Sequence, residues 1–148
     1  MNQTIQQRKS ADAIDHGVDD KKIVSFVIPA LNEEKWIGSC LDAIDRLLLP
    51  ECVASLELIV VDNQSTDRTA EVSCSKGANV ICCPPGNPAR ARNAGADLAK
   101  GDWLVFVDAD CCLDSQWLLQ CAKAMKDDGA VATGSQIIPP PTLSLIHI

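Results

Sequence analysis

The chain has 148 residues, of which 47% are hydrophobic and 22% charged, so it has the composition of a globular protein with room for one domain rather than two. Its formal net charge of -7 argues against a nucleic-acid partner, because non-specific binding to phosphates needs clustered Lys and Arg. No apolar run approaches the ~18 residues of a membrane-spanning helix, and the polar N-terminus has no secretory h-region. We therefore expect no membrane span in this chain and a cytoplasmic location, or the cytoplasmic face of a membrane if the full protein is longer.

Eight cysteines would suggest a disulfide framework in a small secreted protein, but this chain shows no signal peptide. It contains no Cys-x-x-Cys, and its two histidines, His16 and His147, lie near the ends. The spacing of zinc ligands is therefore absent. We expect reduced cysteines that act as small apolar residues.

The first third of the chain predicts a polar tail, a strand and a helix. Residues 1–22 carry no apolar periodicity and are predicted to be disordered. Residues 23–28 (IVSFVI) form a continuous apolar run that is typical of a buried parallel strand, ended by Pro29. A cap-like Asn32 and two acids then predict a helix that ends at Pro50. Its predicted buried face consists of Trp36, Ile37, Cys40, Leu41, Ile44, Leu47 and Leu48.

The same alternation continues through the middle of the chain. Residues 56–61 predict a second strand that ends at Asp62, and residues 65–67 offer caps for a short helix to about Ser75. Gly77 breaks that helix, and residues 79–83 predict a third strand. The proline-rich segment 84–88 is predicted to be a rigid loop.

Two further units follow that loop. An Ala-rich helix over residues 89–99 has a small-residue face that can pack close to a sheet, and residues 103–107 predict a fourth strand running into Asp108-Ala109-Asp110. Asp114 is placed to cap an amphipathic helix whose apolar residues are Trp117, Leu118, Cys121 and Met125. The apolar stretch 130–138 is compatible with a fifth strand.

Strands that alternate with helices predict an α/β fold with a mostly parallel sheet covered by helices on both faces. Ligands of such sheets bind beyond the carboxyl ends of the strands. The polar segments 32–34, 62–64 and 108–110 each follow a predicted strand, so the fold should bring them to one rim.

Asp108 and Asp110 form a compact anionic pair immediately after an apolar strand. Hard divalent cations such as Mg²⁺ and Mn²⁺ prefer carboxylate oxygens and usually share them with substrate phosphates. Solvated surface acids are the commoner explanation of an isolated Asp-x-Asp. Its position after a strand favours a metal-bridged nucleotide site.

The other polar residues each have a structural and a functional interpretation. Asp62 is suited to a turn, or to accepting hydrogen bonds from a nucleobase or ribose. Arg90 and Arg92 lie at a helix start, where they are surface residues or ligands of a diphosphate. Asp67 is better explained as a cap than as a ligand, and a role in the first turn of a helix suffices for at least one of Glu33 and Glu34.

The sequence lacks the motifs of several common enzyme mechanisms. There is no P-loop, no G-x-G-x-x-G after the first strand and no Ser/His/Asp set. A nucleotidyltransferase would bring a glycine-rich basic loop where this chain has the acidic segment 29–34, and an Asp-x-Asp phosphatase would place its acids after the first strand. A non-catalytic nucleotide-binding module and an inert fragment remain as alternatives to an enzyme.

Taken together, the blocks SFVIPALNEEKWIGSCLDAI, ELIVVDNQSTDRTAEV and ARARNAGADLAKGDWLVFVDAD resemble the catalytic domain of glycosyltransferase family 2, which has the GT-A fold. The resemblance covers residues 23 to about 136 in the family's order and spacing. It implies transfer of a sugar from a nucleotide-diphosphate sugar to a saccharide or lipid-linked acceptor, with inversion and with help from Mg²⁺ or Mn²⁺.

The resemblance also implies roles for individual residues. Pro29, Ala30 and Glu33 would line the nucleotide-sugar pocket. Asp62 or its neighbour Asn63, where many relatives carry a second Asp, would contact the base. Arg92 would lie beside the diphosphate. Asp108 would contact both the nucleotide sugar and the metal, and Asp110 would be the more direct metal ligand.

The family's acceptor-binding half and its catalytic base lie well beyond the Asp-x-Asp, and only 38 residues follow Asp110 here. Asp114, Asp127 and Asp128 fall too early for that base, so the catalytic residue is unknown. We therefore expect a domain of residues 23–138 that is truncated at its C-terminus. Residues 139–148 are expected to be a disordered or non-native tail, because residues 143–148 resemble a translated sequencing-library adaptor.

Overall fold

The computed structural model describes residues 21–127. Most of the predicted N-terminal tail, the predicted strand 130–138 and the predicted tail 139–148 therefore lie outside the described residues. Lys22, the last residue of the predicted tail, already belongs to the first strand.

Four strands alternate with four helices along the described chain. In chain order they are β1 (Lys22–Ala30), α1 (Ile37–Asp45), β2 (Val53–Asp62), α2 (Thr69–Ser75), β3 (Asn79–Cys82), α3 (Pro88–Leu98), β4 (Trp103–Phe106) and α4 (Trp117–Asp127). The sequence predicted all eight, with boundaries that differ most at α1 and at the start of β2.

The strands form one parallel sheet in the order β3-β2-β1-β4. β1 is paired with β2 on one side, where Ala30 lies opposite Asp62, and with β4 on the other, where Val27 lies opposite Phe106. The strand order reverses at β1, and in open α/β sheets the crevice at such a reversal is where ligands bind.

Helices cover both faces of the sheet, as predicted. The alternate β1 residues Val24, Phe26 and Ile28 belong to a core that includes the buried residues of α1 and Leu118 of α4. Val27 points to the other face and packs in a smaller core with Ala91 of α3. The prediction of an α/β fold with a parallel, two-sided sheet is confirmed.

Pro29 does not end β1, contrary to the sequence prediction. The Val27 carbonyl accepts a hydrogen bond from Val107 N, whereas the Ala30 carbonyl accepts one from Asn63 N. Odd-numbered residues of β1 therefore direct their backbone polar groups toward β4, whose pairing ends opposite Val27. The N–H that Pro29 lacks would point beyond that pairing, so the strand loses no ladder bond there.

α1 begins at Ile37, later than the predicted start, and Asn32 is not its cap. The preceding residue, Trp36, makes no side-chain cap bond, and Asn32 has a positive φ of 58°. Asn32 instead hydrogen-bonds to the loop after β2. The side chain of Asn32 therefore binds Thr66 in the loop after β2 instead of capping α1.

The predicted buried face of α1 is correct for five of its seven residues. Ile37, Cys40, Leu41, Ile44 and Leu47 are buried, as the sequence predicted. Two predictions are wrong: Trp36 is 57% exposed and Leu48 is 52% exposed. Both lie outside the helix, and the backbone N–H of Leu48 is bound to the Ser115 carbonyl, so the helical period does not apply to them.

α3 packs closely against the sheet because of its small residues, as predicted. A Cβ placed on Gly95 would overlap Val27 Cγ1 and would lie 3.0 Å from Val61 Cγ2. Ala91 on the same helix is 1% exposed. This close packing brings the first turns of α3 to the rim of the sheet.

Candidate functional site

A cavity of about 400 Å³ opens at the carboxyl ends of β1, β2 and β4, beside the first turns of α3. The sequence predicted that polar segments would meet at this rim. Seven of the eight predicted site residues line the cavity: Pro29, Ala30, Glu33, Asn63, Arg92, Asp108 and Asp110. The eighth, Asp62, is not among its lining residues.

The loops that follow β1 and β2 are joined by reciprocal hydrogen bonds. Asn32 Oδ1 accepts from Thr66 N at 2.8 Å, and Asn32 N donates to Ser65 Oγ at 2.9 Å. Glu33 N donates to Thr69 Oγ1 at 2.8 Å. These bonds fix the backbone that carries Glu33 at the cavity wall.

Asp67 and Glu34 have structural roles, but not the predicted ones: α1 has no acid in its first turn, and the residue before α2 is Arg68, which has no side-chain cap bond. Asp67 accepts hydrogen bonds from Thr69 N at 3.0 Å and from Glu34 N at 3.1 Å. The Thr69 hydroxyl beside it is the main cause that holds the pKa of Asp67 below its ordinary value. Glu34 accepts from Arg68 N at 2.9 Å. Asp67 and Glu34 therefore accept hydrogen bonds from backbone N–H groups, whereas Glu33 lines the cavity.

Asp62 and Asn63, adjacent at the end of β2, occupy different environments. Asp62 is 5% exposed, and its Oδ1 accepts from Ser65 N at 3.0 Å. Asn63 lines the cavity, and its Nδ2 donates to the Gly86 carbonyl at 2.8 Å. Because that carbonyl can only accept, it fixes which end of the Asn63 amide carries the nitrogen.

The opposite wall of the cavity is the start of α3. Asn87 caps this helix by accepting from Arg90 N at 3.0 Å, and Pro88 occupies its first turn. Arg92 Nη2 lies 2.5 Å from Asp108 Oδ1. The start of a helix and a guanidinium thus meet the Asp-x-Asp in one cavity, which is a suitable environment for an anion.

Three carboxylates, from Glu33, Asp108 and Asp110, share this cavity with a single guanidinium. Burial raises the pKa of Glu33 above its ordinary value, and the charges of Asp110 and Asp67 raise it further. The carboxylates are therefore close enough to repel one another. A bound cation would relieve that repulsion.

Asp108 and Asp110 have the donor chemistry of a magnesium or manganese site but do not form a complete one. Among residues 21–127, no group of three or more His, Cys, Asp or Glu is arranged to hold a metal. Mg²⁺ is usually bound by one or two carboxylates together with substrate phosphates, so two carboxylates in a cavity suited to anions fit that arrangement. The donor set fits a cation that arrives with a diphosphate.

Five cavity residues were not among the eight predicted site residues. Gly86 and Pro88 belong to the loop that was predicted only to be rigid, and Asn63 is bound to that loop directly. The full set is Leu31, Gly86, Pro88, Ala91 and Ala109. Leu31 and Ala109 lie inside the segments 29–33 and 108–110 that supplied the predicted site residues. Pro88 also had a sequence signal, because Asn-Pro before an Ala-rich segment marks a helix start.

All eight cysteines are free, but the predicted apolar role fits only some of them, because Cys52, Cys74, Cys82 and Cys112 are exposed. Cys40 and Cys83 are buried and act as apolar residues in the two cores. Within the part of the chain that is described, no helix has the length and hydropathy needed to cross a membrane. The location in the cell stays a prediction.

Comparisons with known proteins agree with this fold. The Glycosyl transferase family 2 profile matches residues 25–143. A poly(ribitol-phosphate) beta-glucosyltransferase of Bacillus spizizenii is 32% identical over 112 residues, which are 71% of this chain and 17% of that protein.

Two solved structures show the same fold. S. aureus TarS 1–349 in complex with UDP superposes with a TM-score of 0.61 and 26% identity, over 70% of this chain and 32% of that one. Glucosyl-3-phosphoglycerate synthase from Mycobacterium tuberculosis, in complex with Mn²⁺ and UDP-glucose, superposes with a TM-score of 0.54 and 31% identity. The match covers 71% of this chain and 38% of that one. The chain spans well under half the length of these three relatives. The match over most of its residues nevertheless shows that it belongs to glycosyltransferase family 2.

Proposed function

We propose that this chain provides the donor-binding part of a glycosyltransferase that uses a nucleotide-diphosphate sugar. One observation supports the proposal above all. A single cavity at the strand-order reversal contains Glu33, Asn63, Arg92, Asp108 and Asp110, in a chain that belongs to this family. The relatives whose structures contain UDP or UDP-glucose support the class of donor.

Each cavity residue has a chemical task in this proposal. Arg92 and the start of α3 bind the diphosphate, Glu33 lies beside the sugar-nucleotide, and Pro29 and Ala30 form the apolar wall. Asp110 and Asp108 hold Mg²⁺ or Mn²⁺, and the relative solved with Mn²⁺ supports that cofactor. When bound, the cation supplies Lewis-acid neutralisation of the leaving diphosphate.

For the base we propose Asn63 rather than Asp62 as the contact. Asp62 is buried and has one oxygen engaged by Ser65 N, whereas Asn63 faces the cavity. Its amide donates one N–H to Gly86 and accepts at 3.5 Å from Cys83 Sγ, which leaves one N–H and one lone pair for a base edge.

In the reaction, the bond between the anomeric carbon and the diphosphate breaks as an acceptor hydroxyl attacks the opposite face. The acceptor proton passes to a base that we do not assign. Asp114 already accepts a hydrogen bond from Gln116 N at 2.9 Å in the turn before α4. We propose a saccharide or lipid-linked acceptor, which is the class that the family resemblance implies.

Titration calorimetry with UDP and with GDP, each with and without Mn²⁺, tests the proposal. We expect micromolar binding of one of the two nucleotides that weakens at least about tenfold without the cation, which corresponds to ~1.4 kcal/mol. Asp110→Asn should remove the dependence on Mn²⁺. Asp114→Asn makes the same charge change outside the cavity and keeps an oxygen that can accept from Gln116 N, so it should bind as the parent does.

Absence of binding by the parent chain with either nucleotide would refute the proposal and favour an inert fragment. Unchanged Mn²⁺ dependence in Asp110→Asn would refute the metal role alone. For the base contact, Asn63→Ala should weaken nucleotide binding while leaving pyrophosphate binding unchanged. A larger loss of nucleotide affinity in folded Asp62→Asn than in Asn63→Ala would show that Asp62 is the base contact.

A further inference from the structure

Arg92 is the single basic side chain among the described residues that line the cavity, and it is already engaged. Its Nη2 lies 2.5 Å from Asp108 Oδ1, and the two side chains are 34% and 57% exposed. This charge-assisted bond partly neutralises both charges and occupies one amino group of the guanidinium and one oxygen of the carboxylate. The cavity thus neutralises one of its own acids.

The two acids of the Asp-x-Asp are not equivalent in this state. Asp108 is held by Arg92, whereas the carboxylate of Asp110 has, in the described part of the chain, a single hydrogen-bond partner, the Cys111 thiol at 3.8 Å. Asp110 can therefore receive a cation directly. Asp108 can offer a cation both of its oxygens and its full charge only when Arg92 releases Oδ1.

A diphosphate is also hindered by this ion pair. Without a cation it enters a cavity with three carboxylates, and the one guanidinium that could bind it is paired to Asp108. Either ligand alone therefore competes with the same ion pair for the full charge of its partner. Both together can satisfy all the groups, because the cation replaces Arg92 at Asp108 while the diphosphate replaces Asp108 at Arg92.

We propose that the Arg92–Asp108 ion pair couples the two ligands of this site. Arg92 holds Asp108 until that carboxylate turns to a divalent cation, and the freed guanidinium then binds the diphosphate. The inference rests on the proposed function for the identity of the ligands. Such coupling is reciprocal, so each ligand should raise the affinity of the other by the same factor.

The first test measures binding of Mn²⁺ alone, by calorimetry, to Arg92→Gln and to the control Arg90→Gln. Both variants lose one positive charge from α3, but only the first loses the bond to Asp108. We expect Arg92→Gln to bind Mn²⁺ about fivefold or more tightly than the parent, the lower end of typical coupling factors. Arg90→Gln should change the affinity less than about twofold. Equal changes in the two variants would overturn the proposal.

The second test measures binding of inorganic pyrophosphate in the presence of a metal chelator. Asp108→Asn and Asp110→Asn each remove one negative charge from the same cavity, but only the first frees Arg92. We expect a gain in pyrophosphate affinity of about fivefold or more for Asp108→Asn and a clearly smaller gain for Asp110→Asn. Equal gains would show simple charge repulsion and would refute the coupling.

These outcomes are separable from failure of the proposed function. If the parent chain bound no nucleotide with Mn²⁺ present, the proposed function would be wrong. The Mn²⁺ and pyrophosphate comparisons would still decide whether the Arg92–Asp108 pair restrains its two members.

Discussion

Asn32 and Thr66 lie in loops that follow different strands, and Asn32 Oδ1 accepts two hydrogen bonds from Thr66, at 2.8 Å from its N and at 3.2 Å from its Oγ1. Asn32 also has a φ of 58°, in the left-handed region that Asn tolerates better than most residues. One residue therefore supplies both the turn and the link that holds the rim of the cavity together.

Substitution of Asn32 should separate these two contributions. Asn32→Ala loses the acceptor and places at positive φ a residue that tolerates this region less well than Asn, which should lower the free energy of unfolding by about 2–3 kcal/mol. Asn32→Gly keeps the turn and loses only the acceptor, so we expect a loss of about 1 kcal/mol. Urea denaturation of the three proteins measures both values. Equal losses would mean that the backbone conformation of Asn32 carries no strain.

The approach of α3 to the sheet predicts a steric limit at Gly95. Gly95→Ala should destabilise the protein by about 1–3 kcal/mol, because its Cβ overlaps Val27 Cγ1. Val27→Ala removes that methyl group, so the double variant should lose less than the sum of the single variants, with a coupling of ~1 kcal/mol.

Gly38→Ala is a control for the Gly95 prediction. Its Cβ would meet Val72 Cγ1 at an ordinary 3.4 Å, and alanine favours the helix by up to about 1 kcal/mol. We expect Gly38→Ala to be neutral or stabilising in thermal denaturation. A loss at Gly38 as large as that at Gly95 would refute the steric explanation.

Glu57 predicts a pH-dependent part of the stability. Hydrogen bonds from Lys100 N at 2.9 Å and from Ser25 Oγ at 2.5 Å hold the pKa of Glu57 below its ordinary value of 4.5. The stabilisation is therefore present above about pH 4.5 and is lost as the pH falls through the lowered pKa of the folded state.

Glu57→Gln should accordingly lower the free energy of unfolding by about 1–2 kcal/mol at pH 7, with a smaller difference at pH 3.5. Glu51 is exposed and lies just before β2, the strand that carries Glu57, so Glu51→Gln serves as the control. Its free energy of unfolding should differ little from that of the parent at either pH. Denaturant titration at the two pH values measures the effect. A difference that grows toward low pH would contradict the assigned direction of the shift.

The thiol of Cys40 should not react in the folded protein. Burial raises its pKa to about 12, and the nearby Cys112, Cys111, Asp110 and Asp108 add to that shift. At pH 8 with iodoacetamide, we expect exposed Cys52 and Cys74 to be alkylated while Cys40 stays unmodified, as read by peptide mass spectrometry. All three should react in denaturant. Labelling of native Cys40 as fast as Cys52 would show that its environment opens readily.

The hydrophobic pattern of the sequence was enough to predict the order of the elements and the parallel two-sided sheet. Those features depend on local periodicity, such as the run at residues 23–28 and the spacing of Ile37, Cys40, Leu41 and Ile44. The rim position of Asp108 and Asp110 also followed, because every parallel strand ends on the same side.

The roles of individual polar residues were decided only by the tertiary structure. Asn32 resembles a helix cap in sequence but bonds to Thr66, and Asp62 is buried while its neighbour Asn63 faces the cavity. Arg92 pairs with Asp108, 16 residues away. Sequence patterns report where a chain bends and which face it buries. The partner of a polar group depends on which loops the pairing of β1 with β2 and β4 brings within hydrogen-bonding distance.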